Sequence, residues 1–405
     1  MSALQGKRVL FGVTGSIAAY KAAEWVRALV QEEALVQVIL TEAAERFVTP
    51  LSFATLSGAP VQRDLFAGAG EDPIMHISLS READVFLIAP ASAQTIAKLA
   101  TGMADNLLTA AVLAARIPVL LCPAMNVNMY RHPATQANLR RLRQYGYLVL
   151  EPGSGELACG EVGEGRLADW ADAREALLRI FAAQDLRGLK ILVTAGPTRE
   201  AIDPVRYLSN RSSGKMGFAL ARTAMRRGAA VTLVTGPVAL PAPPGVEVIR
   251  VQSAHEMAEA VFARAPQSRV LVKAAAVADF TVAAPAEHKI KKSGEELSLP
   301  LSATVDILRE LGARKGPRQL LVGFAAESQA HYQEGERKLR EKNLDLIVVN
   351  DVLDGQSGFA VDTNQVTLIG KNGRQEMPLL SKEDTADRIW DAVRALLDAQ
   401  DAVAD

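Results

Sequence analysis

The chain has 405 residues, about the length of two or three domains, and 49% hydrophobic with 22% charged residues is ordinary for folded domains with sizeable cores. A formal net charge of −1 gives no electrostatic reason to expect nucleic acid or an anionic membrane as partner. Cys122 and Cys159 form no CxxC, so neither a disulfide framework nor a zinc site is indicated, and a reducing, cytoplasmic setting is expected. Met1 to Leu10 lacks the pattern of a signal peptide, and no apolar run reaches the ~20 residues that cross a bilayer.

Short β-branched runs alternate with helical patterns from end to end. Arg8 to Val13 reads as a buried strand, followed by a helix with Ala22, Ala23, Val26, Leu29 and Val30 on one face. Strands are expected next at Leu35 to Leu40, Val85 to Ala89, Val119 to Cys122 and Tyr147 to Leu150. His76 precedes what reads as a short alternating segment, and the glycine-crowded stretch Pro152 to Gly165 reads as a loop. A helix is expected over about Ala171 to Ala183, then a linker at Gln184 to Gly188. Lys190 to Thr194 opens a second series, with strands at Val231 to Thr235, Val246 to Val251, Val270 to Ala274, Leu320 to Phe324 and Leu344 to Asn350. The Pro-rich Gly236 to Gly245 reads as a long βα connection, and Ile389, Val393, Leu396 and Leu397 mark a last helix. Continuous apolar strands between amphipathic helices predict parallel sheets covered on both faces. The fold class expected is α/β, with two doubly wound domains at 1–187 and 188–405.

Such sheets bind ligands at the carboxyl ends of their strands, and that is where the candidate residues of the first half cluster. Gly12 to Ser16 joins the first strand to the first helix, where glycines and helix N–H groups suit an anion, although a plain tight turn reads the same way. It is not GxGxxG. Ala89 to Ala93 ends another strand with small residues and a hydroxyl. Pro123 to Tyr130 leaves a third with amides that could clamp a carboxylate, or simply turn the chain. Cys159 sits in the glycine-rich segment, an odd place for a thiol with no use.

Taken in order, GSIAAYK, the solitary His76, PAMNxxMY and GxLACGxxGxGR resemble the homo-oligomeric flavin-containing cysteine decarboxylases, and among them the phosphopantothenoylcysteine decarboxylases. The resemblance covers about Lys7 to Arg166, and its most specific part is the motif ending in GxGR. One departure is Tyr130, where the family often has tryptophan. The resemblance implies a flavodoxin-like domain holding FMN through Gly15, Ser16, Thr41, Ser92, Thr95 and Ala124. It implies His76 as the base in a flavin oxidation of the substrate's thiol carbon to a thioaldehyde, which gives the departing carboxylate's electrons a sink. Asn126 and Met129 would hold the carboxylate end, and Cys159 would donate the last proton beneath a closing clamp. A trimer with the flavin at a subunit contact follows from the same resemblance.

In the second half, Thr194 to Thr198 repeats the small-residue turn, and Ser212 to Gly217 starts a helix. That start resembles a P-loop only superficially, because Ser209 and Met216 stand where glycine and a hydroxyl are required. It could hold a phosphate or merely cap a helix. Lys289, Lys291 and Lys292 gather charge in a loop, either as solvated surface or as a triphosphate site. The blocks LVTAGPTREAIDPVRYLSNRSSGKMG, KAAAVADF, KIKK, VGFAAE and KLREKNLD resemble the CTP-using bacterial phosphopantothenate–cysteine ligases over about Gly188 to Asp384. That resemblance implies a Rossmann-like domain in which Asn210 helps form an acyl-cytidylate and Lys289 assists its breakdown. It implies a CTP site lined by Ala275, Asp279, Lys289, Val305, Asp306, Ile307, Leu308, Phe324, Lys338 and Lys342, with Ser212 and Gly214 on the substrate. Mg2+ is implied without its ligands. The small-molecule partners implied are 4'-phosphopantothenate, cysteine and CTP, with no nucleic acid and no membrane. Dimeric ligase domains joined to trimeric flavin domains imply a closed homo-oligomer such as a dodecamer. Three rival readings stand beside this one: a flavin-binding regulatory protein of the same fold, a flavin prenyltransferase-like enzyme, and a nicotinamide dehydrogenase. Intact His76, Asn126 and Cys159, the clamp, and the missing GxGxxG count against them in turn.

Overall fold

The structure is a computed structural model describing residues 4–66, 72–156, 160–292, 297–327, 331–351, 361–371 and 373–404. It divides into two compact units, Met1–Phe181 and Ala182–Asp405. No helix among the described residues is long and apolar enough to cross a membrane.

The first unit is built on five parallel strands: β1 (Arg8–Val13), β2 (Leu35–Leu40), β3 (Val85–Ala91), β4 (Val119–Pro123) and β5 (Leu148–Val149). Their order is β2-β1-β3-β4-β5, the flavodoxin-like arrangement, with its reversal of winding between β1 and β3. Every residue of β3 is buried, because helices cover both faces of the sheet. On one face Phe11, Trp25, Phe53 and Leu87 share a core, and the Trp25 and Trp170 rings meet at 5.7 Å. On the other, Phe86, Ile88, Ile96, Leu108 and Leu139 form a second core. Each such side chain contributes about 2 kcal/mol on burial.

Two elements differ from expectation. His76 lies on a helix, Met75–Glu82, rather than before an alternating segment. Ser80 on that helix donates to the carbonyls of His76 (2.9 Å) and Ala111 (2.7 Å). The glycine-rich stretch is a hairpin, β6 (Gly153–Glu156) against β7 (Val162–Arg166), rather than a plain loop. Gly155 (φ 150°) and Gly165 (φ 147°) adopt extended backbone that other residues rarely reach, which makes the run read as irregular.

The second unit contains β8 (Lys190–Ala195), a hairpin of β9 (Arg199–Ala201) and β10 (Tyr207–Ser209), β11 (Ala230–Thr235), β12 (Glu247–Arg250) and β13 (Val270–Lys273). A further hairpin pairs β14 (Phe280–Val282) with β15 (Leu301–Ala303), and β16 (Leu320–Glu327) and β17 (Leu346–Asp351) follow. β18 (Thr363–Asn364), β19 (Val366–Gly370), β20 (Gly373–Glu376) and β21 (Leu380–Ser381) precede the C-terminal helix Lys382–Ala404. The main sheet runs β12-β11-β8-β13-β16-β17-β19-β20. Its six parallel strands, taken in chain order, stand third, second, first, fourth, fifth, sixth, which is the Rossmann order. The reversal falls between β8 and β13. The antiparallel strands β19 and β20 were not anticipated.

The Pro-rich segment is not a βα connection, since it leads from β11 straight to the parallel neighbour β12 without a helix. Gln184 to Gly188 is no free linker either. Leu186 is fully buried in the second unit's core, and Asp185 pairs with Arg227 at 2.5 Å. The C-terminal helix closes this core, with the Trp390 indole donating to the Leu220 carbonyl at 3.0 Å.

Candidate active sites

In the first unit the carboxyl ends of β1, β3 and β4 converge. Thr14 ties the first two together: its buried hydroxyl donates to the Pro90 carbonyl at 2.6 Å and accepts from the Ser92 N–H at 2.9 Å. Ser16 donates to the Ala124 carbonyl at 3.4 Å, joining β1 to β4, and the Ala124 N–H bonds the Ala91 carbonyl at 3.2 Å. Gly15 packs so closely that a Cβ there would stand 2.6 Å from the Cβ of Ala43. Beyond Ser16 the helix Ala19–Gln31 starts with no acidic residue in its first turn, and Ser16 itself ties that start down, its hydroxyl accepting from the Ala18 N–H at 3.3 Å and its carbonyl from the Ala19 N–H at 2.9 Å. Thr41 caps Glu42–Glu45, and Ser92 caps Ala93–Thr101 by accepting from the Thr95 N–H at 3.3 Å. The structure therefore gathers Gly15, Ser16, Thr41, Ser92, Thr95 and Ala124 around one rim.

Asn126 leaves that rim at the end of β4. Its Oδ1 accepts from the Asn128 N–H at 2.8 Å, starting the short helix Val127–Arg131. Its Nδ2 donates to Glu161 at 2.5 Å, and the Asn128 amide donates to the same carboxylate at 3.3 Å. The hairpin docks here through the Met125 N–H, which bonds the Gly165 carbonyl at 2.9 Å. A Cβ on Gly165 would fall 2.2 Å from the Met125 carbonyl oxygen, and one on Gly163 2.7 Å from Val127. The glycines of the GxGR motif thus permit contact. Met129 is half exposed, whereas Tyr130 is buried with its hydroxyl donating to Glu151 at 2.5 Å. Burial, then Glu151, push the Tyr130 phenol up to about 12.

His76 is joined to neither group by a hydrogen bond. Its Nδ1 is buried without a partner, the sole such side-chain atom among the described residues. Cys159 lies outside the described residues. Cys122 is fully buried and burial pushes its thiol far up, so it is inert.

The second unit repeats the construction with other residues. The Thr194 hydroxyl accepts from the Ala275 N–H at 3.1 Å and that of Thr198 from the Ala278 N–H at 3.0 Å, lacing β8 to the segment after β13. Asn210 is clamped over this seam, its Nδ2 donating to the carbonyls of Ala276 (3.3 Å) and Val277 (3.0 Å). Gly214 (φ 76°) turns the chain into the helix Lys215–Arg226, and its N–H bonds the Ser212 hydroxyl at 3.3 Å. A Cβ on Gly217 would meet Ala195 at 2.5 Å, so the glycine lets that helix sit on β8.

Lys289 is exposed, in a segment anchored by a residue the sequence reading passed over. Buried Asp203 accepts from the N–H groups of Val205 (2.8 Å), Arg206 (2.8 Å) and Ile290 (3.2 Å), and pairs with the Arg206 guanidinium at 3.2 Å. Burial opposes its charge, but those donors outweigh it and hold the carboxyl below the usual range. Asp306 caps the helix Ile307–Arg314 and pairs with Lys342 at 2.7 Å. Ile307 and Leu308 turn their side chains into the core, 2% and 5% exposed, so only their backbone could face a ligand. Phe324 packs on the opposite face of the sheet from Ile307 and Leu308. Asp279 and Val305 are exposed. Lys338 stands on the helix His331–Glu341 and accompanies Lys342, Asp306 and Asp279 around Lys273, a fifth charge absent from the expected set.

Comparison with known proteins agrees with this division. The family described as Flavoprotein matches residues 2–181, and that described as DNA/pantothenate metabolism flavoprotein C-terminal domain matches residues 186–397. The chain is 48% identical over 398 residues to the Coenzyme A biosynthesis bifunctional protein CoaBC of Bacillus subtilis (strain 168), covering 97% of this chain and 98% of that protein. It is 46% identical over 384 residues to the protein so described from Escherichia coli (strain K12), covering 94% and 95% respectively. A solved C-terminal domain of a CoaBC protein is 42% identical, with a TM-score of 0.47 over 54% of this chain and 100% of that one. A PPC decarboxylase mutant complexed with pantothenoylaminoethenethiol is 32% identical, with a TM-score of 0.38 over 43% and 97%. With both halves matched and near-full-length similarity across species, this chain belongs to the family of bifunctional coenzyme A biosynthesis proteins.

Proposed function

We propose that the second unit joins cysteine to 4'-phosphopantothenate at the expense of CTP, and that the first decarboxylates the resulting phosphopantothenoylcysteine to 4'-phosphopantetheine with FMN. The observation that carries the reading is that one chain sets two doubly wound sheets in series, each with its own motif residues at the reversal of strand order.

In the second unit, a carboxylate resists amine attack until its oxygen carries a leaving group. CTP supplies one, forming the acyl-cytidylate and releasing pyrophosphate, and the cysteine amine then displaces CMP. Asn210, fixed over the β8–β13 seam, orients the reacting carboxyl, and Ser212 and Gly214 meet the substrate. Lys289, Lys338 and Lys342 would offset the phosphate charge of the nucleotide, and Mg2+, arriving with it, would neutralise more of that charge. Asp203→Asn should cut ligation roughly 10- to 100-fold, because the segment carrying Lys289 loses one anchoring acceptor and shifts. Decarboxylation of supplied phosphopantothenoylcysteine should be unchanged, and parallel assays of pyrophosphate and carbon dioxide check both.

The first unit's rim fits a flavin phosphate through the positive end of the helix Ala19–Gln31, which carries no acidic residue in its first turn, and the hydroxyls of Ser16, Thr41, Ser92 and Thr95. FMN, when bound, supplies the reversible two-electron oxidation that makes the carboxylate able to depart. His76 takes the substrate's proton; its Nδ1 has no protein partner, which leaves its tautomer to be set by what binds. Asn126 and Met129 hold the carboxylate end, and Glu161 must give way as that carboxylate arrives. Cys159 returns a proton to complete the product. Trimeric flavin domains, dimeric ligase domains and a cytoplasmic place of action belong to the same reading.

The direct test supplies phosphopantothenate, cysteine and CTP to the purified chain and follows pyrophosphate and carbon dioxide together. Equal yields of both are expected. A protein that binds FMN and releases no carbon dioxide would be a regulator, and indifference between ATP and CTP would undo the nucleotide assignment.

A further inference from the structure

Lys273 ends β13 beside the reversal point of the second sheet. Strand side chains alternate, so Lys273 shares a face with Leu271, whose core also holds Ile307, Leu308, Leu311 and Leu339. Lys273 itself is part-exposed, so its ammonium stands at the border of that apolar core. The charges that face it are Lys342 and Lys338 from the second helix and its end, Asp306 from the cap of the first, and Asp279 from the segment after β13. Asp306 is already committed, accepting from the Arg309 N–H at 3.1 Å and pairing with Lys342 at 2.7 Å. Among the described residues no hydrogen bond or ion pair serves the Lys273 ammonium. Three lysines thus meet two aspartates, one of them spent, in a place where desolvation makes surplus positive charge costly. Desolvation first, then Lys342, pull the Lys273 amine down to about 8.

An anion of high charge density is what this cluster lacks. We propose that Lys273 is a further binding residue of the nucleotide site, pairing with the phosphate chain of CTP and taking up a proton as the nucleotide arrives. The inference rests on the reading of this unit as the CTP-using ligase. The sign follows from linkage: phosphate favours the ammonium, so binding raises the amine's affinity for a proton and weakens as pH rises through about 8.

Calorimetric titration of the full-length protein with CTP and Mg2+ at pH 8, in two buffers of different ionisation enthalpy, reads the protons exchanged. Wild type should take up about half a proton per site more than Lys273→Met, a difference that shrinks towards pH 6.5 where the amine is already charged. Lys273→Met should bind CTP roughly tenfold more weakly. Lys273→Arg, charged throughout, should bind with the proton exchange of the Met variant and guards against a folding defect. CTP binding with identical proton exchange in all three proteins would overturn the role of Lys273. No CTP binding in the wild type would instead overturn the ligase reading.

Discussion

Asn210→Asp should lower CTP-dependent ligation at least ~100-fold while decarboxylation of supplied phosphopantothenoylcysteine continues at the wild-type rate. The substitution is isosteric, so the loss comes from chemistry. The Asn210 Nδ2 donates to two carbonyl oxygens, those of Ala276 and Val277, at 3.3 and 3.0 Å. A carboxylate there has no hydrogen to offer and sets a negative oxygen against both. The side chain must swing away from the seam, and its charge also opposes the carboxyl and phosphate groups that the site is to receive. Because Asn210 is exposed, the chain relaxes around the swing and stability changes little. Thermal unfolding of the variant within a few degrees of wild type, together with absent pyrophosphate release, is the expected pair of results. Loss of both activities together would mean misfolding and remove the assigned role.

Both doubly wound sheets were legible because their strands are continuous apolar runs. Every residue of β3 is buried, and burial on both faces leaves a signal that needs no partner to read. The helix at His76 was obscured because Met75 to Ser80 alternates in polarity, which imitates a strand. What selects the helix is tertiary: Ser80 reaches the Ala111 carbonyl, 31 residues on. Asp203 was invisible for a related reason, since its bond to Ile290 spans 87 residues and no local spacing encodes it. Lys273 did carry a signal, a charge interrupting the apolar run from Val270, which marks a cation held against a core. Glu161 carried none. Its neighbours explain why glycine is required around it, but only the fold shows that it meets Asn126. The motif residues of each half lay near strand ends in the sequence, and the fold gathers many of them at the two reversal points. Ile307, Leu308 and Phe324 depart from this because part of their side-chain surface is consumed by packing, and His76 stands apart on its own helix.

Asn126→Asp should abolish most decarboxylation at neutral pH, by roughly 100-fold or more, with ligation unaffected. The aspartate keeps an oxygen to accept from the Asn128 N–H, so the short helix retains its cap. The other oxygen faces Glu161 at the 2.5 Å now bridged by the asparagine amide. Two carboxylates that close cannot both stay ionised, so the pair binds a proton more tightly than either alone. Activity should therefore recover in part as pH falls from about 8 towards about 6, where the shared proton supplies the missing donor. A second variant separates two roles of Asn126. In Asn126→Asp with Glu161→Gln the donor and acceptor are exchanged, and the hairpin's bond is restored in reverse. If that bond is all Asn126 provides, the double variant regains turnover. If its amide is needed to hold the substrate's carboxylate, the double variant keeps a folded clamp, binds phosphopantothenoylcysteine poorly and remains inactive. The latter outcome is expected, because Glu161 already shows the amides of Asn126 and Asn128 receiving one carboxylate between them.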